Sequence, residues 1–265
     1  MKDNYSRVTL MDINFINVSR YSFLKNIVYP AIEKNEKCFI VTANPEVVIE
    51  TRDDPDFKTI VKQADYVVAD GIGVVNASKF IKEPLKERVT GVDLMYDLLA
   101  YADQHQKRVF FLGASEVVNQ KVVEIVKKDY PDLIVAGRRD GYFNRFDQSV
   151  TDQVVESNPD IVFVALGAKR QEGWIAHNLS NFDHGIFLGV GGSFDVLSGR
   201  LKRAPQIWIK LQLEWLYRLL KEPHRLRRDM KVFEFMLLHI PVVKWFMKKL
   251  GFSKSKPRKS RDGIR

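Results

Sequence analysis

The chain contains a single cysteine, Cys38, so a disulfide within it is excluded. Set in the apolar run Cys38-Phe39-Ile40-Val41, that thiol reads as a small buried hydrophobe in a reducing compartment. Long apolar runs are missing as well. No stretch offers the ~18 uncharged apolar residues that a spanning helix requires. The nearest, residues 232–250, carries Glu234, His239, Pro241, Lys244, Lys248 and Lys249, so it is expected to meet a membrane only at the surface. The start of the chain shows no apolar segment ending in small residues, and no signal peptide is expected. His105, His177, His184, His224 and His239 lack metal-ligand spacing, which leaves a metal site unsupported. A dinucleotide fingerprint and a P-loop are both absent, which weighs against an α/β oxidoreductase or a P-loop NTPase. No cofactor is expected.

What the chain does have is an uneven distribution of charge. Residues 200–265 hold 19 Lys/Arg against 5 Asp/Glu, whereas residues 1–199 hold 23 against 28. Interleaved with the basic residues are Trp208, Trp215, Tyr217, Phe233, Phe235, Trp245, Phe246 and Phe252. Cations beside large apolar rings suit an anionic, partly apolar surface such as a membrane face or a phosphate-bearing lipid. Single-stranded nucleic acid would suit the same composition, so two readings stand at this level.

Short β-branched runs alternate with amphipathic helical patterns up to Gly199. That order predicts an α/β fold, a Rossmann-like, largely parallel sheet flanked by helices. The expected strands are 37–42, 66–69, 108–112, 133–136, 161–166 and 186–190, with an edge hairpin over 8–18. Helices are expected near 21–31, 55–63, 92–104, 116–128, 148–157 and 171–179. Beyond Gly199 the pattern is helical only, with one helix over 205–220, a second opening at Pro223 and an interruption at Pro241. The expected division is therefore an α/β core, 1–199, and a basic helical appendage, 200–265, ending in a disordered tail from Ser253.

In open parallel sheets ligands bind beyond the carboxyl ends of the strands. Polar and glycine residues collect there: Thr42-Ala43-Asn44-Pro45-Glu46, Asp70-Gly71-Ile72-Gly73, Gly113-Ala114-Ser115, Gly167-Ala168-Lys169-Arg170-Gln171-Glu172 and Gly189-Val190-Gly191-Gly192-Ser193. Asp70 follows an apolar strand and precedes Gly71. Partial desolvation suits such a carboxylate to general-base work on a hydroxyl, and helix capping is the alternative. The 189–192 glycines would let backbone N–H groups approach a phosphate, although a tight turn needs the same residues. Asp54-Pro55-Asp56 reads as a capped helix start with Pro55 at its first position rather than an acidic metal pair. In the appendage, Arg225 and Arg228 fall on one helical face, and with Arg218 and Arg227 they would either converge on a phosphate or form a solvated basic face.

Together these motifs resemble one known family. The ordered set comprises 42–46, 69–73, Arg88-Val89-Thr90-Gly91-Val92-Asp93, Leu166-Gly167 with Gln171-Glu172 and Trp174, and 189–195. It continues through Ser198-Gly199, Lys202-Arg203-Ala204-Pro205, 213–219 and Glu222-Pro223. This order resembles the WecG/TagA/CpsF family of bacterial glycosyltransferases over roughly residues 8–240, and within it the TagA/TarA branch that begins the wall teichoic acid linkage unit. The resemblance implies inverting, metal-independent transfer of N-acetylmannosamine from a UDP donor to the 4-hydroxyl of N-acetylglucosamine on undecaprenyl diphosphate. Other UDP-sugar donors of the family, N-acetylmannosaminuronic acid or glucose, stay open. It further implies Asp70 as base, Thr42 and Asn44 lining the site, and Arg88 and Gln171 completing a polar rim. Gly191 and Gly192 would lie near the nucleotide, and Arg218, Arg225 and Arg228 would reach over to the diphosphate. In many relatives Pro-Lys precedes Gln-Glu; here Lys169-Arg170 stands there, which keeps a positive charge at 170 in a less rigid turn. The implied setting is peripheral, on an anionic membrane surface at the cytoplasmic face, with no nucleic acid partner. A core face covered by the appendage would also allow a homo-oligomer of the core.

Overall fold

A computed structural model describes residues 5–81, 84–144, 147–202, 204–205, 207–208, 217 and 234–235. The chain begins with a hairpin, β1 (Arg7–Leu10) and β2 (Ile13–Ile16), turned by Met11 and Asp12 at positive φ of 49° and 63°. Two such residues in succession make the type of turn whose twist matches paired strands. The expected edge hairpin thus forms, but its strands pair only with each other and do not join the main sheet. A helical run follows, α1 (Arg20–Phe23) and α2 (Tyr29–Glu33), joined by a π turn over Leu24–Val28.

The main elements then alternate. They are β3 (Lys37–Ala43), α3 (Pro45–Asp53), α4 (Pro55–Lys62), β4 (Tyr66–Ala69), α5 (Ile72–Phe80), α6 (Gly91–Gln104), β5 (Arg108–Gly113) and α7 (Glu116–Asp129). After these come β6 (Ile134–Arg139), α8 (Gln148–Glu156), β7 (Ile161–Ala165), α9 (Arg170–Asn178), a 3-10 turn (Leu179–Asn181), β8 (Gly185–Gly189) and α10 (Ser193–Leu197). All six strands β3 to β8 run parallel in the order β4-β3-β8-β7-β5-β6.

Local chemistry explains where the helices start. Asn44, Asp54, Thr90, Ser115 and Asp147 each accept a hydrogen bond from an amide of the helix they open, filling donors that the first turn leaves unpaired. Pro45 and Pro55 follow two of these caps, where a missing N–H costs nothing. The expected capping role of Asp54 is therefore found, with Oδ1 accepting from Asp56 N at 3.1 Å and Phe57 N at 3.0 Å. Helices α3, α5 and α10 were not anticipated. All three begin at the rim residues, after Asn44, Gly71 and Gly192, where polar and glycine composition reads as loop.

Strand alternation divides the interior into two cores. Cys38, Ile40, Val109, Phe111 and Phe163 face one side, against α1, α2, α6, α7 and α10. Phe39, Val41, Phe110, Leu112 and Phe187 face the other, against the hairpin and α3, α4, α5, α8 and α9. Cys38 is buried as expected, and burial pushes its thiol well above the usual range. The helix after β3 leaves on the second face and the helix after the adjacent β8 leaves on the first. That divergence opens a crevice beyond the carboxyl ends of β3 and β8.

Most of the expected appendage, including Arg218, Arg225, Arg228, Val232 and the terminal tail, lies outside the described residues. Of those that are described, Phe235 is wholly buried in the second core, and Glu234 pairs with Arg52 of α3 at 2.7 Å. The chain thus returns to the α/β core near residue 235.

Candidate active site

Four of the expected site residues are joined by contacts across the crevice. Thr42, near the end of β3, donates from Oγ1 to the carbonyl of Gly189 at the end of β8, 3.2 Å away. Gly91, the first residue of α6, sits above that link, where a Cβ would come within 3.2 Å of Thr42 Oγ1. The Gly91 amide donates to Asp70 Oδ2 at 3.3 Å. On the far side Gln171 Oε1 accepts from Gly191 N at 3.0 Å. Asp70, Thr42, Gln171 and Gly191 therefore belong to one constellation, although they come from four separate stretches of sequence.

The strand tips explain these placements. Asp70 N donates to Ala43 O and Val89 N donates to Ala69 O, which extends pairing past β4 and fixes the Asp70 backbone from both sides. Gly71 then turns at φ 109°, a conformation few other residues adopt. A Cβ on Gly73 would stand 2.8 Å from Pro45 Cγ, so the glycines let α5 start tight against the start of α3. Asp70 is half-buried. It does not cap α5, whose N-cap is Gly71, but it does accept the first amide of α6. The capping and site readings thus coexist in one carboxylate.

Other expected residues take more particular places. Asn44 Oδ1 accepts from Val47 N at 2.9 Å as the cap of α3, beside Gly71. Arg88 is half-buried, one residue before the Val89 amide that pairs with the end of β4. Gln171 is 6% exposed and lies beneath the glycine turn, its Nε2 only 2.7 Å from where a Gly189 Cβ would be. Gly191 has φ 50°, and a Cβ on Gly192 would meet nothing within 4 Å. That turn presents backbone to open space. Arg218, Arg225 and Arg228 fall outside the described residues.

The Lys169-Arg170 departure also acquires a physical basis. Lys169 has φ 67°, which a proline ring, fixed near −65°, cannot adopt. Its Nζ reaches Asp54 Oδ2 at 3.1 Å and pairs with the Glu50 carboxylate, so ion pairs to α3 and α4 hold this turn. Arg170 donates to Gly141 O at 3.3 Å.

Three features escaped the sequence reading. Thr90 and Asp93 form a reciprocal cap on α6, with Thr90 Oγ1 to Asp93 Oδ2 at 2.6 Å and Asp93 N to Thr90 Oγ1 at 3.1 Å; their spacing is a readable signal for such a cap. Glu172 is 1% exposed, and burial pushes its carboxyl above the usual range. Tyr142, just past β6 on the same rim, is 81% exposed. Neither of the last two has a local sequence signature. Among the described residues no group of three or more His, Cys, Asp and Glu side chains is placed to hold a metal, and no helix is long and apolar enough to cross a membrane.

A half-buried carboxylate and an open glycine turn lie at the switch point of a parallel α/β sheet, the place where such sheets bind ligands. The chain belongs to the glycosyl transferase WecG/TagA/CpsF family, which it matches over residues 8–250. An N-acetylglucosaminyldiphosphoundecaprenol N-acetyl-beta-D-mannosaminyltransferase of Bacillus spizizenii is 43% identical over 220 residues, 83% of this chain and 85% of that protein. A protein of the same name from Staphylococcus aureus strain MRSA252 is 34% identical over 261 residues, 98% of both chains. The expected family is therefore confirmed.

Proposed function

We propose that this glycosyltransferase moves an N-acetyl-β-D-mannosaminyl group from a UDP donor to the 4-hydroxyl of N-acetylglucosamine on diphosphoundecaprenol. The relatives named for that reaction, which span most of the chain, support the transferred sugar and the acceptor. The observation that carries the chemistry is the separation between Asp70 and the open glycine turn. Asp70 follows β4 and the turn follows β8, with β3 between them. At the usual strand spacing two steps across the sheet are about 10 Å, which sets the carboxylate and the glycine turn on either side of the start of α6 at Gly91.

In this reading the Asp70 carboxylate takes the proton from the acceptor hydroxyl as its oxygen attacks the anomeric carbon. The bond from that carbon to the donor's diphosphate breaks on the opposite face, giving inversion. The Gly91 amide holds Asp70 by one carboxylate oxygen, and pairing at the β4 tip fixes its main chain. Charge developing on the departing diphosphate needs donors and cations already in place. Backbone of the open turn at Gly192 supplies the first, with Gly191 held in place by its bond to Gln171, and Arg88 with Arg218, Arg225 and Arg228 supplies the second. The reaction so written uses no metal. Because the acceptor's lipid stays in the bilayer, the basic, aromatic carboxyl-terminal segment brings the enzyme to the membrane surface, each Lys or Arg near an anionic leaflet contributing about 1 kcal/mol.

The test is UDP release from UDP-N-acetylmannosamine in the presence of a short-chain prenyl-diphosphate N-acetylglucosamine acceptor, with the disaccharide product identified. Release that needs both substrates is expected. Transfer from UDP-glucose or UDP-N-acetylmannosaminuronic acid instead would replace the donor in this reading, and no acceptor-dependent release from any of the three would overturn it.

A further inference from the structure

Glu172 is an expensive residue for its position. It is the third residue of α9 and almost completely enclosed. Its Oε1 accepts from Gln171 Nε2 at 2.8 Å, while its Oε2 has no hydrogen-bond partner in the structure. Enclosing a carboxyl with one oxygen unsatisfied costs stability, which the bonds to its other atoms offset. Desolvation raises its pKa and the nearby charge of Glu46 adds to that, while bonds from Gln171 and from the amides of Glu172 and Lys169 act in the opposite direction. The bond from Lys169, the N-cap of α9, makes the carboxyl a helix cap as well, and the contact to Gln171 is additional to that role.

That contact matters because of what Gln171 does next. An amide side chain can be turned two ways, and the network around it decides which is present. Gly191 N–H can only donate, so the Gln171 oxygen must face it, at 3.0 Å. The Gln171 nitrogen then faces Glu172, which accepts through Oε1 whether or not the carboxyl is protonated. The reversed amide would set two donors together at Gly191 and, with the carboxyl ionised, two oxygens together at Glu172. Gln171 is itself enclosed, and its Nε2 uses the space that Gly189 leaves by lacking a Cβ.

We propose that Glu172 is a positioning residue: it locks the Gln171 amide in the one orientation that takes the Gly191 N–H, and so presets the 189–192 turn for the diphosphate of a nucleoside diphosphate sugar. The ligand class rests on the function proposed above; the relay from Glu172 through Gln171 to Gly191 does not. In the full-length protein, Glu172→Gln keeps an acceptor facing Gln171, whereas Glu172→Leu removes it at similar volume. Hydrogen exchange at the Gly191 amide is expected to be near the parent rate in E172Q and roughly tenfold faster in E172L, the order of one lost hydrogen bond. UDP affinity by calorimetry should fall by a similar roughly tenfold factor in E172L only, with KM for the donor raised and kcat nearly kept. Where E172L does not fold, E172M, whose flexible side chain adapts to the cavity, replaces it. Unchanged Gly191 exchange in the folded apolar variant would overturn the relay, as would an E172Q variant as impaired as E172L. A parent enzyme that protects Gly191 yet binds no UDP would overturn the donor class alone.

Discussion

At the end of β5, Gly113 turns at φ 116°, and a Cβ there would stand 2.4 Å from Ala165 O. At the end of β8, a Cβ on Gly192 would meet nothing within 4 Å. Both segments are glycine-bearing strand ends on one rim, with a helix following each. Around Gly113 the backbone is closed off. Asn119 of α7 donates from Nδ2 to the carbonyls of Phe111, Gly113 and Arg139, and Ala114 N donates to Ala165 O. Around Gly192 the turn is held from below by Gln171 and left uncovered above. A glycine at a strand end is needed either because chain must come close or because something else must. The neighbour that a side chain would strike separates the two cases.

The sharpest way to break this comparison is to remove the carboxylate that faces the open turn. Asp70→Asn should lower transfer by about 10²–10⁴-fold, the usual worth of a general base, with UDP binding largely retained. Turnover near that of the parent would dismiss Asp70 as base and leave it only its bond to Gly91. Next come the two glycines. Gly113→Ala combines an unfavourable φ with overpacking and should cost about 3 kcal/mol, read as a fall of roughly 10 °C in Tm. Gly192→Ala, at φ −73°, should change stability by less than about 0.5 kcal/mol. Its methyl group would instead occupy the open space and weaken UDP binding roughly tenfold. Should G192A lose stability while keeping UDP affinity, the open turn is structural like its counterpart on β5.

The smallest effect concerns Lys169, whose ion pairs hold the turn between the two strand ends. Asp54 has its carboxyl held below the usual 3.8 first by the Phe57 amide and then by Lys169, against partial desolvation. A depressed folded pKa adds stability that is present above the unfolded value and lost as pH falls through the folded one. Lys169→Met reduces that depression, so the stability lost with acid should be smaller than in the parent and its loss complete at slightly higher pH. Because Lys169 is 41% exposed, the change at neutral pH should stay within about 1 kcal/mol. Thermal melts between about pH 5 and 2 read the difference; coincident curves would assign the depression to the Phe57 and Asp56 amides.

Much of this was legible in the chain itself. All six strands of the parallel sheet were expected within a few residues of where they lie, because each is a short apolar run set between helical patterns. Asp54 was readable as a cap and Cys38 as buried. The rim motifs pointed to Thr42, Asp70, Gln171 and Gly191, which the fold does bring together. Helices α3, α5 and α10 were missed because they begin at the rim residues themselves, where polar and glycine composition resembles a loop. The hairpin was expected on the sheet's edge. Its pattern specifies two strands that pair, but nothing local specifies a third.

The sequence by itself determined the alternation of strand and helix, the caps that start most helices, and the separation of an acidic core from a basic carboxyl-terminal segment. Each of these is settled within a few residues, by side-chain period, by an oxygen close to unpaired amides, or by composition. Only the tertiary structure decided which glycines are pressed against backbone and which are open, that Glu172 is sealed behind Gln171, and that Lys169 pairs with Asp54, 115 positions away. Thr42 meets Gly189 across a separation of 147 residues. The physical reason is that room beside a Cα, and the burial of a carboxyl, are set by whichever distant strand the topology brings alongside.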